Sequence, residues 1–146
     1  MTPGQLKERY KYPHMLPDEN RLFRAWLQGY EEQFDSFEFD VHVGKGVPIP
    51  PALTPPYARM IPALTQKRID VIAKTKEDIW ILDVTPRASL RHLGQLLAYK
   101  QLYTEDYKPA LPIQLGVITE YADPDVEHMF ALNNITIFLA QREEGE

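Results

Sequence analysis

The stretch from Lys67 to Lys100 constrains this chain more than any other. It reads as two strands, Lys67–Lys74 and Ile79–Thr85, rich in Ile and Val with one Trp, joined by the polar residues Thr75, Lys76, Glu77 and Asp78. A polar connection of that length makes a hairpin, so Lys74 faces Ile79 and, counting back, Asp70 faces Asp83. Side chains alternate along a strand, so Asp83 and Thr85 share a face, and Asp70 joins them there beside Ile72 and Ile81. Facing carboxylates repel and weaken a sheet. Something must offset them: a bound cation, a nearby Lys or Arg, or a shared proton. The helix that follows starts at Thr85-Pro86 or at Ser89. It places His92, Gln95 and Tyr99 at i, i+3 and i+7, on one face, and Leu90, Leu93, Leu96 and Leu97 are expected to form its core face.

The rest of the chain supplies a frame. Residues 1–17 read as an arm, interrupted by Pro3, Pro13 and Pro17, with Tyr10, Tyr12 and Met15 able to dock on the domain or on a partner. A helix is expected from Asp18, with Phe23, Trp26, Leu27, Tyr30 and Phe34 as its apolar stripe. Glu19, in its first turn, suits the helix dipole. Ser36–Val43 is a strand whose buried face is expected to be Phe37, Phe39, Val41 and Val43. Residues 45–66 hold six prolines and form a long loop that either wraps across its own domain or binds a partner through Tyr57, Met60 and Ile61. Ile113–Thr119 is a buried strand, Asp123-Pro124 opens a short helix, and Asn133-Asn134 turns the chain into a last strand, Ile135–Leu139. Residues 141–146 are an acidic tail. The order is α-β-β-β-α-β-α-β over a single domain, 18–140. It implies an α/β fold with a mixed central sheet flanked by helices.

Composition narrows the function. The 146 residues suit one domain with a real core. No apolar run is long enough to span a bilayer, the N-terminal residues show no signal-peptide pattern, and cysteine is absent, so no thiolate metal site exists. These features fit a cytoplasmic or virion location and no membrane partner. Residues 67–100 carry seven Lys/Arg against four acids; that +3, within a total of −5, leaves −8 for the remainder. The hairpin region is the basic part of an acidic protein, read either as an ordinary solvated surface or as a nucleic-acid contact through Lys67, Arg68, Arg87 and Arg91. The four histidines lack zinc-protease spacing, no phosphate-loop glycine motif occurs, and neither serine sits in a nucleophile elbow. A zinc enzyme, a P-loop NTPase and a serine hydrolase are disfavoured.

Asp70, then Asp83-Val84-Thr85, then Gln95-x-x-x-Tyr99 resembles the PD-(D/E)XK nuclease superfamily, and within it the exonuclease-type subgroup with a Q-x-x-x-Y helix. The resemblance implies a restriction-endonuclease-like α-β-β-β-α-β core. It implies Mg²⁺ held by Asp70, Asp83 and the Val84 backbone carbonyl, with Gln95 and Tyr99 orienting the site or touching a phosphate. Glu19 stands where some members of the family carry an extra acidic residue on the first helix. In that family a Lys two residues after the second acid helps to activate water; here Thr85 stands in its place, and Ile69 stands where Pro would precede Asp70. Thr85 has no charge with which to stabilise a phosphorane. Lys100, beside Tyr99, and Arg87 are the candidates to replace that Lys in space. The expectation is therefore a catalytically degenerate domain that associates with DNA, or with other virion proteins or its own copies through the arm and the 45–66 loop. The sequence also resembles small nuclease-like proteins of tailed bacteriophages, which implies a role near the head–tail connection. The alternative is an active Mg²⁺-dependent deoxyribonuclease with its Lys moved to the helix.

Overall fold

The computed structural model describes residues 1–3, 5, 12–13, 15–46 and 66–142. Tyr10, the proline-rich segment 47–65 with Tyr57, Met60 and Ile61, and the tail from residue 143 lie outside the described residues. The elements are α1 (Pro17–Tyr30), β1 (Ser36–Val43), β2 (Lys67–Lys74), β3 (Ile79–Val84), α2 (Leu90–Tyr107), β4 (Ile113–Thr119), α3 (Pro124–Leu132) and β5 (Ile135–Leu139). The strands form one sheet in the order β1-β2-β3-β4-β5. The first three run antiparallel, and β4 and β5 are added parallel. The fold is α/β with a mixed sheet, α1 on one face and α2 and α3 on the other, and its element order is that of the restriction-endonuclease-like core. Among the described residues no helix is long and apolar enough to cross a membrane.

Local chemistry accounts for the element ends. Pro17 opens α1, and Glu19 reaches back to accept the Leu16 N–H at 3.0 Å. Ser89, not Thr85-Pro86, precedes α2; His92 at the third helical position turns Nδ1 back to accept the Ser89 N–H at 3.0 Å. Asp123 caps α3 by accepting the Val126 N–H at 2.9 Å. Thr75 Oγ1 closes the β2–β3 loop by accepting the Asp78 N–H at 3.0 Å. Lys74 pairs with Ile79, Ile72 with Ile81 and Val71 with Leu82, the register expected from the loop length.

The α1 face is aromatic. Phe23 and Trp26 meet Phe37 at ring-centroid distances of 6.2 Å each, and Trp26 meets Phe138 at 5.8 Å. Phe34 is buried too, but α1 ends at Tyr30 and Phe34 follows a single 3₁₀ turn in extended backbone. Tyr12 and Met15 of the arm pack on this same cluster. Tyr12 is only 4% exposed, and its N–H donates to Asn20 Oδ1 at 2.7 Å. Gly116 of β4 lies between Leu82 and Phe138, where an added Cβ would come within 2.8 Å of both side chains; the close approach of Phe138 depends on that missing atom.

Two further expectations fail. Phe37 and Phe39 belong to the α1 face, whereas Val41 and Val43 belong to the α2 face. The alternation breaks at Asp40, whose φ is +52°, a left-handed conformation that Asp tolerates better than most residues. The partner strand breaks with it: Val71, opposite Phe39, faces α1, and Ile69, opposite Val41, faces α2. On α2, Leu90 and Leu97 are 55% and 40% exposed. The buried set is His92, Leu96, Tyr99 and Tyr103. At 100° per residue these form one stripe, and Leu90 and Leu97 lie about 100° or more around the helix from it.

Candidate functional site

Asp83 reaches the α2 face through strand alternation, following Ile79 and Ile81. It is 4% exposed, and its Oδ2 is buried with no hydrogen-bond partner among the described residues. The β2–β3 ladder runs as far as Val71–Leu82. One residue further on, the Asp70 side chain takes over: its Oδ2 accepts the Val84 N–H at 2.9 Å. The hairpin thus brings Asp70 and Asp83 together at one end of β2 and β3. A groove of about 570 Å³ lined by Phe34, Lys76, Glu77, Trp80 and Phe138 lies at the opposite, loop end of these strands and takes no part in the pair's chemistry.

The electrostatics are those of two acids short of compensation. Burial pushes Asp70 up to about 6, with the Val84 hydrogen bond opposing and the charges of Glu19 and Asp40 adding to the rise. Burial also holds Asp83 well above the usual carboxylate range, and the charges of Asp70 and Glu19 push it the same way. Arg91 acts in the opposite sense on Asp83. Tyr99 sits on α2 over this pair; burial first, then the charges of Asp83 and Asp70, push its hydroxyl up to about 12. His92 is lowered by burial and by Arg91, which favours the neutral ring that accepts from Ser89.

The other expected residues are placed as follows. Gln95 is half-buried one turn before Tyr99. Thr85 lies just past β3, and its hydroxyl donates to the Arg87 carbonyl at 3.3 Å. Lys100 is exposed on α2. Lys67 is exposed, and the Arg68 guanidinium lies 3.8 Å from Asp40. Arg87 rests on the Tyr121 ring. Three contributors stand outside the core motif residues. Glu19 reads as a helix-start residue, and it is one, yet its charge reaches both acids. Asp40 carries no sequence signal beyond being an acid in a strand. Arg91 reads as a nucleic-acid contact, and it is the cation acting on Asp83.

Among the described residues no three His, Asp or Glu side chains converge closely enough to hold a metal ion by themselves. Two carboxylates still fit Mg²⁺, which keeps several waters and is commonly bound through one or two carboxylates. The Asp83 oxygen without a partner, beside a second acid that is costly to ionise, is a donor set that a hard divalent cation would satisfy.

A crystal structure of a repair endonuclease from Pyrococcus abyssi is a structural neighbour, 13% identical, with a TM-score of 0.45 over 73% of this chain and 40% of that one. The chain therefore spans two-fifths of that protein's length. No protein-family profile and no curated protein matches the sequence.

Proposed function

We propose that this domain binds a divalent cation and a phosphodiester at Asp70 and Asp83, as a nuclease-type site with weak or absent cleavage. The observation that carries the reading is the buried, unpartnered Asp83 Oδ2 beside Asp70. Asp70, Asp83 and the Val84 carbonyl would hold Mg²⁺, which when bound acts as a Lewis acid on a phosphoryl oxygen. Tyr99, its hydroxyl raised to about 12, stays protonated at neutral pH and would be a donor to a bound phosphate. Arg91 supplies positive charge at the rim. Thr85 spends its hydroxyl on the Arg87 carbonyl and brings no cation to the attacking water. The structural reading, in a phage virion near the head–tail connection, leans on an arm that reaches a partner. Tyr12 and Met15 pack on their own domain, so that reading takes second place.

The test is a melt with and without Mg²⁺ or Mn²⁺, beside a cleavage assay. At a hundred times Kd the metal should stabilise the wild type by about 2.7 kcal/mol, and Asp83→Ala should abolish the shift. Wild type should cut linear duplex or single-stranded DNA slowly or not at all, and Thr85→Lys should gain cleavage in Mn²⁺. A shift that survives Asp83→Ala would place the metal elsewhere. Efficient cutting by wild type that is lost in Lys100→Ala would show that the cation has moved to the helix.

A further inference from the structure

The chain beyond β3 does not leave β4. Arg87 bridges Tyr121 in the parallel sense. The Ala88 N–H donates to the Tyr121 carbonyl and to Thr119 Oγ1, each at 3.0 Å, and the Glu120 N–H donates to the Pro86 carbonyl at 3.1 Å. Thr119 Oγ1 in turn donates to the Tyr121 carbonyl at 3.1 Å. These bonds fix both main chains, and so fix where the two side chains begin. Above this base the Arg87 guanidinium lies 4.8 Å from the centroid of the Tyr121 ring. Arg87 is exposed, and Tyr121 is 48% exposed and belongs to neither apolar cluster. The adjacent carboxylate of Glu120 is held by Arg142 Nε at 2.8 Å, so its charge is already answered. Asp83 stands four residues before Arg87, no more than about 14 Å along the chain.

We infer that the Arg87–Tyr121 pair is a stacking platform for an unpaired nucleobase, so that the site takes single-stranded nucleic acid in preference to intact duplex. A guanidinium plane and a phenol ring both accept the flat face of a base, whichever base it is, and a base offers that face only when it is out of the helix stack. A rigid main-chain base holds the pair ready, and Arg87 adds a charge for the neighbouring phosphate. This inference rests on the phosphodiester reading above, but binding by stacking does not require the metal, so the two can fail separately.

The test is fluorescence anisotropy with a short labelled oligothymidylate in EDTA, and the quenching of a 2-aminopurine oligonucleotide. Wild type should bind the single strand more tightly than a blunt duplex of equal length and should quench the analogue. Tyr121→Ala should weaken binding about tenfold or more and lose the quenching, while Tyr121→Phe keeps both. The salt slope should survive Tyr121→Ala but fall in Arg91→Ala, a change of phosphate contact. Tyr121 makes its hydrogen bonds through its main chain, so the Ala variant should melt like wild type. Arg87→Ala gives a second, independent arm and should show the same loss. No binding by wild type, equal affinity for duplex, or unchanged Kd and quenching in Tyr121→Ala and Arg87→Ala would overturn the inference. Loss of the metal-dependent melting shift alone would overturn only the metal reading.

Discussion

The two faces of the sheet are built to different ends. Against α1, ring meets ring: Phe23 touches Tyr12 at 4.8 Å and Phe39 at 5.5 Å, and Trp26 stacks on Tyr30 at 5.4 Å. Against α2 and α3 the core is mainly aliphatic, with Tyr99, Tyr103 and Phe130 as its rings, and among the described residues the buried polar side chains Asp83, His92 and Thr119 all lie there. His92 and Thr119 each accept a main-chain N–H, from Ser89 and Ala88, while Asp83 leaves Oδ2 without a partner among the described residues. One face holds the fold together; the other gives up part of its apolar burial to keep an acid where water hardly reaches it.

The largest effect should come from the aromatic face. Phe23→Ala removes a fully buried ring and should destabilise the domain by about 3–5 kcal/mol, read by denaturant unfolding. A loss below about 1 kcal/mol would mean that the aromatic face is not the one that holds the fold. The second test concerns the acid face and has the opposite sign. Burial raises Asp70 and Asp83 in the folded chain, so the folded state holds protons that the unfolded chain releases. The stability tied to these groups is fully present below the ordinary value of 3.8. It is lost as pH climbs through about 6 for Asp70, and higher for Asp83. Without divalent cation, Asp70→Asn should therefore be more stable than wild type at pH 8, by something on the order of 3 kcal/mol, and equal to it near pH 3. Asp83→Asn should move the same way. A wild type that gains stability from pH 4 to pH 8 would contradict the account of this face. The smallest effect is expected at Leu97→Ala, within about 0.5 kcal/mol; a large loss there would show that α2 buries a different stripe.

Legibility in the sequence follows the same division. The β2–β3 register could be read because a short polar loop leaves little choice of pairing, and Lys74 does face Ile79. The stripe of α1 could be read at Phe23, Trp26, Leu27 and Tyr30, where apolar positions are also the ones packed inward, but Phe34 falls past the helix end. On α2 that equivalence fails. His92 and Tyr99 occupy the sheet-facing stripe while Leu90 and Leu97 do not, so a reading that follows leucines is right at Leu93 and Leu96 and wrong at Leu90 and Leu97. The converging residues of the site were legible as a motif at Asp70, Asp83 and Tyr99. Of the charges that tune them, Arg91 lies in the same stretch, whereas Glu19 and Asp40 arrive from other parts of the chain.

The left-handed turn of backbone at Asp40 bears on where acids can be tolerated at all. On either side of it, the odd-numbered residues of β1 serve opposite layers, so Asp40 and the facing position Asp70 occupy the rung at which β1 and β2 change layers together. An acid placed where both strands change layers interrupts neither apolar run, since Phe39 and Val71 end one and Val41 and Ile69 begin the other. The edge of the sheet can thus seat two acids without opening a hole in either layer, even though burial still works against the charge on Asp70.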